Sequence, residues 1–194
     1  MEFLERIERL RSHYDKSKCK DIGTAWLYGL YDLTPPLAEH IVFAPMPHEV
    51  MRHMLDSYKR AFPSALLTLY GAMNGADLFW VPRLLGKSKR RLALSHFSLY
   101  GVPLTTDRKH VEPFHISIED LSRPKGTPDN WLKFGSYYMP DDALNRLELF
   151  IDTESNRVFA TKHGSDVCRV TAEWESLDSA LCEIFDTLAA TLLR

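Results

Sequence analysis

Gly86-Lys87-Ser88 has the residue types that close a phosphate-binding loop: a lysine for the phosphates and a hydroxyl for magnesium. The glycine that opens such a loop would stand where Val81 is, and Pro82 with two leucines fills the interval. Without a glycine-rich backbone no cradle of N–H groups can form, so phosphate chemistry of this kind is excluded. His48-Glu49 followed by His53 supplies the residue types of a zinc-peptidase helix. Its histidines are five apart and diverge by about 140°, whereas two ligands on one helical face stand four apart. Ser95-His96 and His163-Gly164-Ser165-Asp166 hold the ingredients of a hydrolase triad, but no Gly-x-Ser-x-Gly turn exists to expose a nucleophile. Cys19, Cys168 and Cys182 are odd in number and never at C-x-x-C spacing, which indicates neither a disulfide framework nor a zinc site. The basic run Lys87-Ser88-Lys89-Arg90-Arg91 has the charge of a nucleic-acid patch or nuclear localisation signal. It reads more simply as a solvated loop between strands, because aromatic platforms at regular spacing are lacking beside it. Asp141-Asp142 after Pro140 read as loop or helix-start carboxylates that complement a helix dipole. The expectation is a protein with no catalytic residues, no metal and no cofactor.

The elements that would position these residues follow from hydrophobic periodicity. Phe3, Ile7, Leu10 and Tyr14 step by four, three and four, one face of an amphipathic helix over residues 2–14. Residues 1–44 as a whole read as an N-terminal helical extension packed on a main domain of residues 45–194. A helix is expected over His48–Arg60, with Val50, Met54 and Tyr58 on one stripe and Met51 and Leu55 beside it. A second opens at Pro63 or Ser64 and buries Leu66, Leu69, Tyr70 and Met73. Asn74-Gly75 ends it, since both residues accept positive φ at a helix C-terminus. Leu78–Val81 and Arg91–Tyr100 read as strands. A long connection over 101–130 follows, with Phe114–Ile118 as a short strand inside it. Trp131–Phe134 alternates and stops at Gly135-Ser136. Leu147–Asp152 and Arg157–Thr161 form a hairpin about Asp-Thr-Glu-Ser-Asn. Cys168, Val170 and Ala172 alternate as one more strand. Ser176 caps a closing helix with Leu181, Phe185, Leu188 and Leu192 on one face, its capping box incomplete. Helices first, then a run of short strands, then a helix imply an α+β fold with a largely antiparallel sheet flanked by helices.

Composition sets the outer limits. The 194 residues are 45% hydrophobic and 26% charged, a balance that builds a core without disulfides or metal. The net charge of −2 gives no overall pull toward nucleic acid. Charge is uneven, however: residues 61–130 carry nine Lys/Arg against six Asp/Glu, and residues 131–194 carry six against eleven. An acidic C-terminal third suits a basic partner, although charge on solvated helices looks the same. The first residues alternate charge with apolar side chains, unlike a secretory leader, and no apolar stretch approaches the ~20 residues of a membrane span. A cytoplasmic location is expected.

Four of these segments resemble, in order, the motifs of the SUKH superfamily, which includes the yeast cell-wall-synthesis regulator and many bacterial immunity proteins. Phe62-Pro63, an apolar helix and Tyr70-x-x-x-Asn74-Gly75 resemble its helix–turn–strand opening. Trp131-Leu132-Lys133-Phe134-Gly135-Ser136 resembles a strand end. Leu149–Asp152 with Val158-Phe159 resembles the hairpin that follows, and Trp174-Glu175-Ser176-Leu177 the closing element. The resemblance spans about residues 46–192 and leaves the first 44 uncovered. Asn74, Gly75, Trp131, Phe134, Gly135 and Trp174 are expected to serve the fold itself.

The resemblance implies a non-catalytic protein-binding domain, an immunity protein that occludes a toxin domain, often a nuclease. The alternative is a regulatory adaptor with several partners; a small-molecule or nucleic-acid binder using Lys87–Arg91 is the third possibility. The expected contact residues are Asp152, Glu154, Glu173 and Glu175, which would attract a basic partner, and Tyr137 and Tyr138, which offer large contact area at low entropic cost.

Overall fold

The computed structural model describes residues 1–29, 39–58, 62–85, 90–102, 124–139 and 142–193. The first helix, α1 (Glu2–His13), buries Phe3, Ile7 and Leu10, and it sets Glu2 and Glu5 in its first turn and Arg11 and His13 in its last, as the helix dipole favours. Three short strands follow, β1 (Cys19–Asp21), β2 (Ala25–Tyr28) and β3 (Glu39–Phe43). Helices α2 (His48–Ser57) and α3 (Ser64–Ala72) precede β4 (Ala76–Leu85) and β5 (Arg90–Leu99). Then come β6 (Trp131–Met139), β7 (Asp142–Asp152), β8 (Val158–Lys162), β9 (Val170–Trp174) and α4 (Leu177–Leu192). Among the described residues the nine strands form one sheet in the order β1 to β9, each antiparallel to the next. The expected α+β fold with an antiparallel sheet and an N-terminal helix is what the chain adopts.

One face of the sheet meets the helices. Leu132, Phe134, Leu147, Leu149, Ile151, Val158, Ala160 and Trp174 share a single apolar core with Phe3 and Ile7 of α1, Leu66 and Leu69 of α3, and Leu181 and Phe185 of α4. Phe3, wholly buried, sets its ring edge-on against Phe97 of β5 and Phe185 of α4. The polar joint between the terminal helices is equally specific. The Asp178 carboxylate accepts from the backbone N–H groups of Glu2 and Phe3, both at 3.0 Å, so the first turn of α4 caps α1. Arg6 completes the joint with a two-pronged pair to Asp186, at 2.9 and 2.8 Å.

A buried histidine fixes the β3–β4 junction. Phe79 stands at φ +57° inside β4, a left-handed conformation that costs a non-glycine residue roughly 1–2 kcal/mol. Its N–H donates to His40 Nδ1 at 3.1 Å, so that nitrogen carries no proton and Nε2–H donates to the Tyr14 hydroxyl at 2.8 Å. Burial, with the charge of His13 as the lesser cause, pushes the His40 pKa down from 6.5 to about 3, leaving the ring neutral.

The structure departs from the sequence-based expectations in five places. Residues 1–44 hold more than a helix, since β1, β2 and β3 extend the sheet. These strands have three to five residues, too short to show a period. The strand through Trp131 does not stop at Gly135 but continues to Met139. Asp142 belongs neither to a loop nor to a helix start but begins β7. The last strand starts at Val170 and excludes Cys168. The capping box of α4 is complete: Ser176 Oγ accepts from Ser179 N–H at 3.1 Å, and Ser179 Oγ accepts from Ser176 N–H at 3.2 Å. A serine fills the role usually read from Glu or Gln. Phe114–Ile118, Lys87–Lys89 and Asp141 lie outside the described residues.

Candidate functional site

Of the residues expected to serve the fold, Gly75 and Gly135 close on β5, whereas Trp131 stands on the sheet face away from the helices and is not part of the core. Gly75 sits at φ +90°, and a Cβ there would stand 2.5 Å from the Leu99 carbonyl oxygen. A Cβ on Gly135 would stand 2.7 Å from the carbonyl oxygen of the neighbouring Ser98. Only glycine lets backbone approach backbone this closely. Asn74, buried, grips Val102 from both sides: Nδ2 donates to its carbonyl at 2.7 Å, and Oδ1 accepts from its N–H at 2.8 Å. Phe134 is in the core, and Trp174, also buried, donates from Nε1 to Glu183 at 2.9 Å.

Residues paired across antiparallel strands share a face. Trp131 faces Asp152, Lys133 faces Phe150, Ser136 faces Glu148 and Tyr138 faces Arg146. Phe150 in turn faces Phe159, which faces Glu173. All of these lie on the face turned away from the helical core. At its end near the β7–β8 turn, Trp131 and Phe159 stack at 4.2 Å with their planes 10° apart. The Arg157 guanidinium lies 6.0 Å from the Phe159 ring centre and pairs with Glu173, and with Glu175 at 3.7 Å. Glu175 is 89% exposed. Asp152 has a structural task in the adjoining turn, where Oδ1 accepts from the N–H groups of Glu154 at 2.8 Å and Ser155 at 3.2 Å, and from Asn130 Nδ2 at 3.0 Å. Partial burial pushes its pKa up, but these hydrogen bonds outweigh it and hold the carboxyl below its usual value. Glu154 is exposed beside it. The four acidic candidates are thus close together, with Asp152 engaged in the turn and Glu173 and Glu175 around Arg157.

The two tyrosine candidates part company. Tyr138 lies on the face just described, edge-on to His96. Tyr137 points the other way, into a cleft of about 340 Å³ between α4 and the ends of β6–β9, whose walls include Trp174, Leu147 and Leu188. Burial, with the negative charge of Glu183 as the second cause, raises the Tyr137 phenol to about 12.

Pattern reading missed a polar cluster farther along the outer face. Glu148, fully buried, accepts on Oε1 from Lys133 Nζ at 2.7 Å and is hydrogen-bonded to His163 Nδ1 at 2.7 Å. Arg146 Nη2 donates to the Tyr100 hydroxyl at 2.7 Å and to Ser136 Oγ at 3.1 Å, and Ser98 Oγ donates to Asp77 at 2.7 Å. Lys133 and Glu148 alternate with apolar residues, the sequence signature of a solvated face, so nothing local marked them as buried. Among the described residues no three His, Cys, Asp or Glu side chains could hold a metal ion, and the three cysteines are free. None of the described helices is long and apolar enough to cross a membrane.

Comparison with protein-family models, curated proteins and solved structures returns no match.

Proposed function

We propose that this chain is a non-catalytic protein-binding domain of the SUKH type, an immunity protein of the cytoplasm that neutralises a toxin domain by covering its working surface. The observation that carries the reading is the patch of Trp131, Phe159 and Arg157 edged by Glu154, Glu173 and Glu175. Tryptophan and arginine are the residue types that dominate binding energy at protein interfaces, and a charged rim supplies steering and selectivity. The Trp131–Phe159 stack and the Asp152-locked turn fix this surface before any partner arrives, which reduces the entropic penalty of association. The four motif segments of the SUKH resemblance also lie on adjoining elements around β5, β6 and α4, which supports reading them as one framework. A basic toxin surface suits the acidic rim, and the action needs no cofactor, metal or nucleic acid.

The test is to tag the protein in its native cell, with expression of the candidate toxin verified, and to identify stoichiometric partners by mass spectrometry. One abundant partner with a toxin domain is expected, and Glu175→Lys and Trp131→Ala should each weaken binding at least tenfold in variants whose circular dichroism is unchanged. Several substoichiometric housekeeping partners would favour the adaptor instead. Unchanged affinity in both variants would remove this patch as the contact surface.

A further inference from the structure

The cleft between α4 and the sheet has the chemistry to take one particular kind of side chain. Its volume of about 340 Å³ is at the small end for ligand pockets, suited to a single side chain. On the helix wall, Glu183 uses one carboxylate oxygen to accept from Trp174 Nε1 at 2.9 Å and forms no ion pair with any described residue, Lys162 at the rim included. On the sheet wall, Asn145 Oδ1 is buried with no hydrogen-bond partner. An unsatisfied buried acceptor costs about 1–3 kcal/mol, which a ligand donor would recover. The rings of Tyr137 and Trp174 line the same space. Thr171 Oγ1, another polar group there, is spent on the Ala160 carbonyl at 3.0 Å.

We propose that this cleft binds a guanidinium group, presented as an arginine side chain by the protein partner; the inference rests on the protein-binding reading and names a chemical requirement of that partner. A planar guanidinium can donate from different edges to acceptors on two walls, here Glu183 and Asn145, while its face packs on an aromatic ring. A compact ammonium lacks that fork. An anionic ligand would bring its charge against Glu183. The acidic balance of residues 131–194, six Lys/Arg against eleven Asp/Glu, favours approach of a cation.

The experiment needs no partner. The ¹⁵N-labelled protein is titrated with acetyl-arginine amide, acetyl-citrulline amide and agmatine while the indole N–H signal of Trp174 is followed. Capped arginine should shift that signal saturably with a Kd in roughly the millimolar range expected of so small a ligand. Neutral citrulline should bind at least tenfold more weakly. Glu183→Gln should weaken capped arginine about tenfold, and Asn145→Asp should tighten it, an opposite pair that misfolding could not produce. Equal binding of citrulline, no saturable shift, or binding unaffected by Glu183→Gln would overturn the proposal. Binding of agmatine alone would overturn the partner side chain as the source. Failure here would leave the outer-face patch untouched, and failure of the pull-down would leave the cleft's affinity for capped arginine as a separate result.

Discussion

His40 should make the protein acid-sensitive well above the range in which carboxylates titrate. Folded, its pKa is held at about 3 by burial; unfolded, it returns to about 6.5. The folded value is depressed, so the contribution is fully present above pH 6.5 and is lost as pH falls toward 3, because the unfolded chain binds a proton that the native ring refuses. At pH 4.5 the loss is two pH units of linkage, about 3 kcal/mol at 1.36 kcal/mol per unit. That is a large share of the roughly 5–15 kcal/mol that holds a domain folded. Asp152 also destabilises the fold as pH falls, but its turn hydrogen bonds hold the folded carboxyl below its ordinary value, so that loss comes at lower pH than the loss from His40. The assay is urea unfolding at pH 7 and pH 4.5, for the wild type and for His40→Asn. The variant keeps an acceptor for the Phe79 N–H and loses the bond to Tyr14, so at pH 7 it should be about 1–3 kcal/mol less stable. Between the two pH values it should lose about 3 kcal/mol less than the wild type, so that the stability gap narrows or closes at pH 4.5. Parallel losses in the two proteins would mean that His40 is protonated in the native state as readily as in the unfolded one, and that its burial carries no acid sensitivity.

Two further perturbations test the sheet. Lys133→Met would leave the buried Glu148 carboxylate with the His163 contact but without its cation and should cost about 3 kcal/mol in chemical denaturation, whereas Lys133→Met with Glu148→Leu should recover much of the loss. A double variant no better than the single would show that the ion pair contributes a net stabilisation. Gly135→Ala places a methyl 2.7 Å from the Ser98 carbonyl oxygen and should cost about 1–3 kcal/mol; an unchanged urea midpoint would mean that β5 and β6 shift apart freely.

The sequence determined those parts of the protein whose signal is local. The stripe of Phe3, Ile7 and Leu10 requires an amphipathic helix wherever the chain goes, as do Leu181, Phe185 and Leu188 in α4, while α3 is apolar on most sides and is therefore placed in the core. The turn after Asp152 was legible from residues that hydrogen-bond their own backbone. The concentration of acidic residues in the last third was legible by counting, and part of it does gather around Arg157. The three short strands before residue 44 were not legible, because strands of three to five residues owe their existence to the neighbours they pair with.

Tertiary structure alone decided which way the site residues face. Simple alternation from Trp131 would set Lys133, Gly135 and Tyr137 on one side, with Phe134 and Ser136 on the other. The register shifts between Lys133 and Gly135, where the Gly135 backbone closes on Ser98 of β5. That irregularity reverses the parity of β6 as far as Tyr138, where the register shifts again. It joins Ser136 and Tyr138 to Trp131 and Lys133 on the outer face and turns Tyr137 into the cleft beside Glu183. A strand's pattern states only that neighbouring side chains alternate; the pairing partner sets where the alternation restarts, and that partner lies 36 to 40 residues away in the chain, from Leu99 with Gly135 to Phe97 with Tyr137.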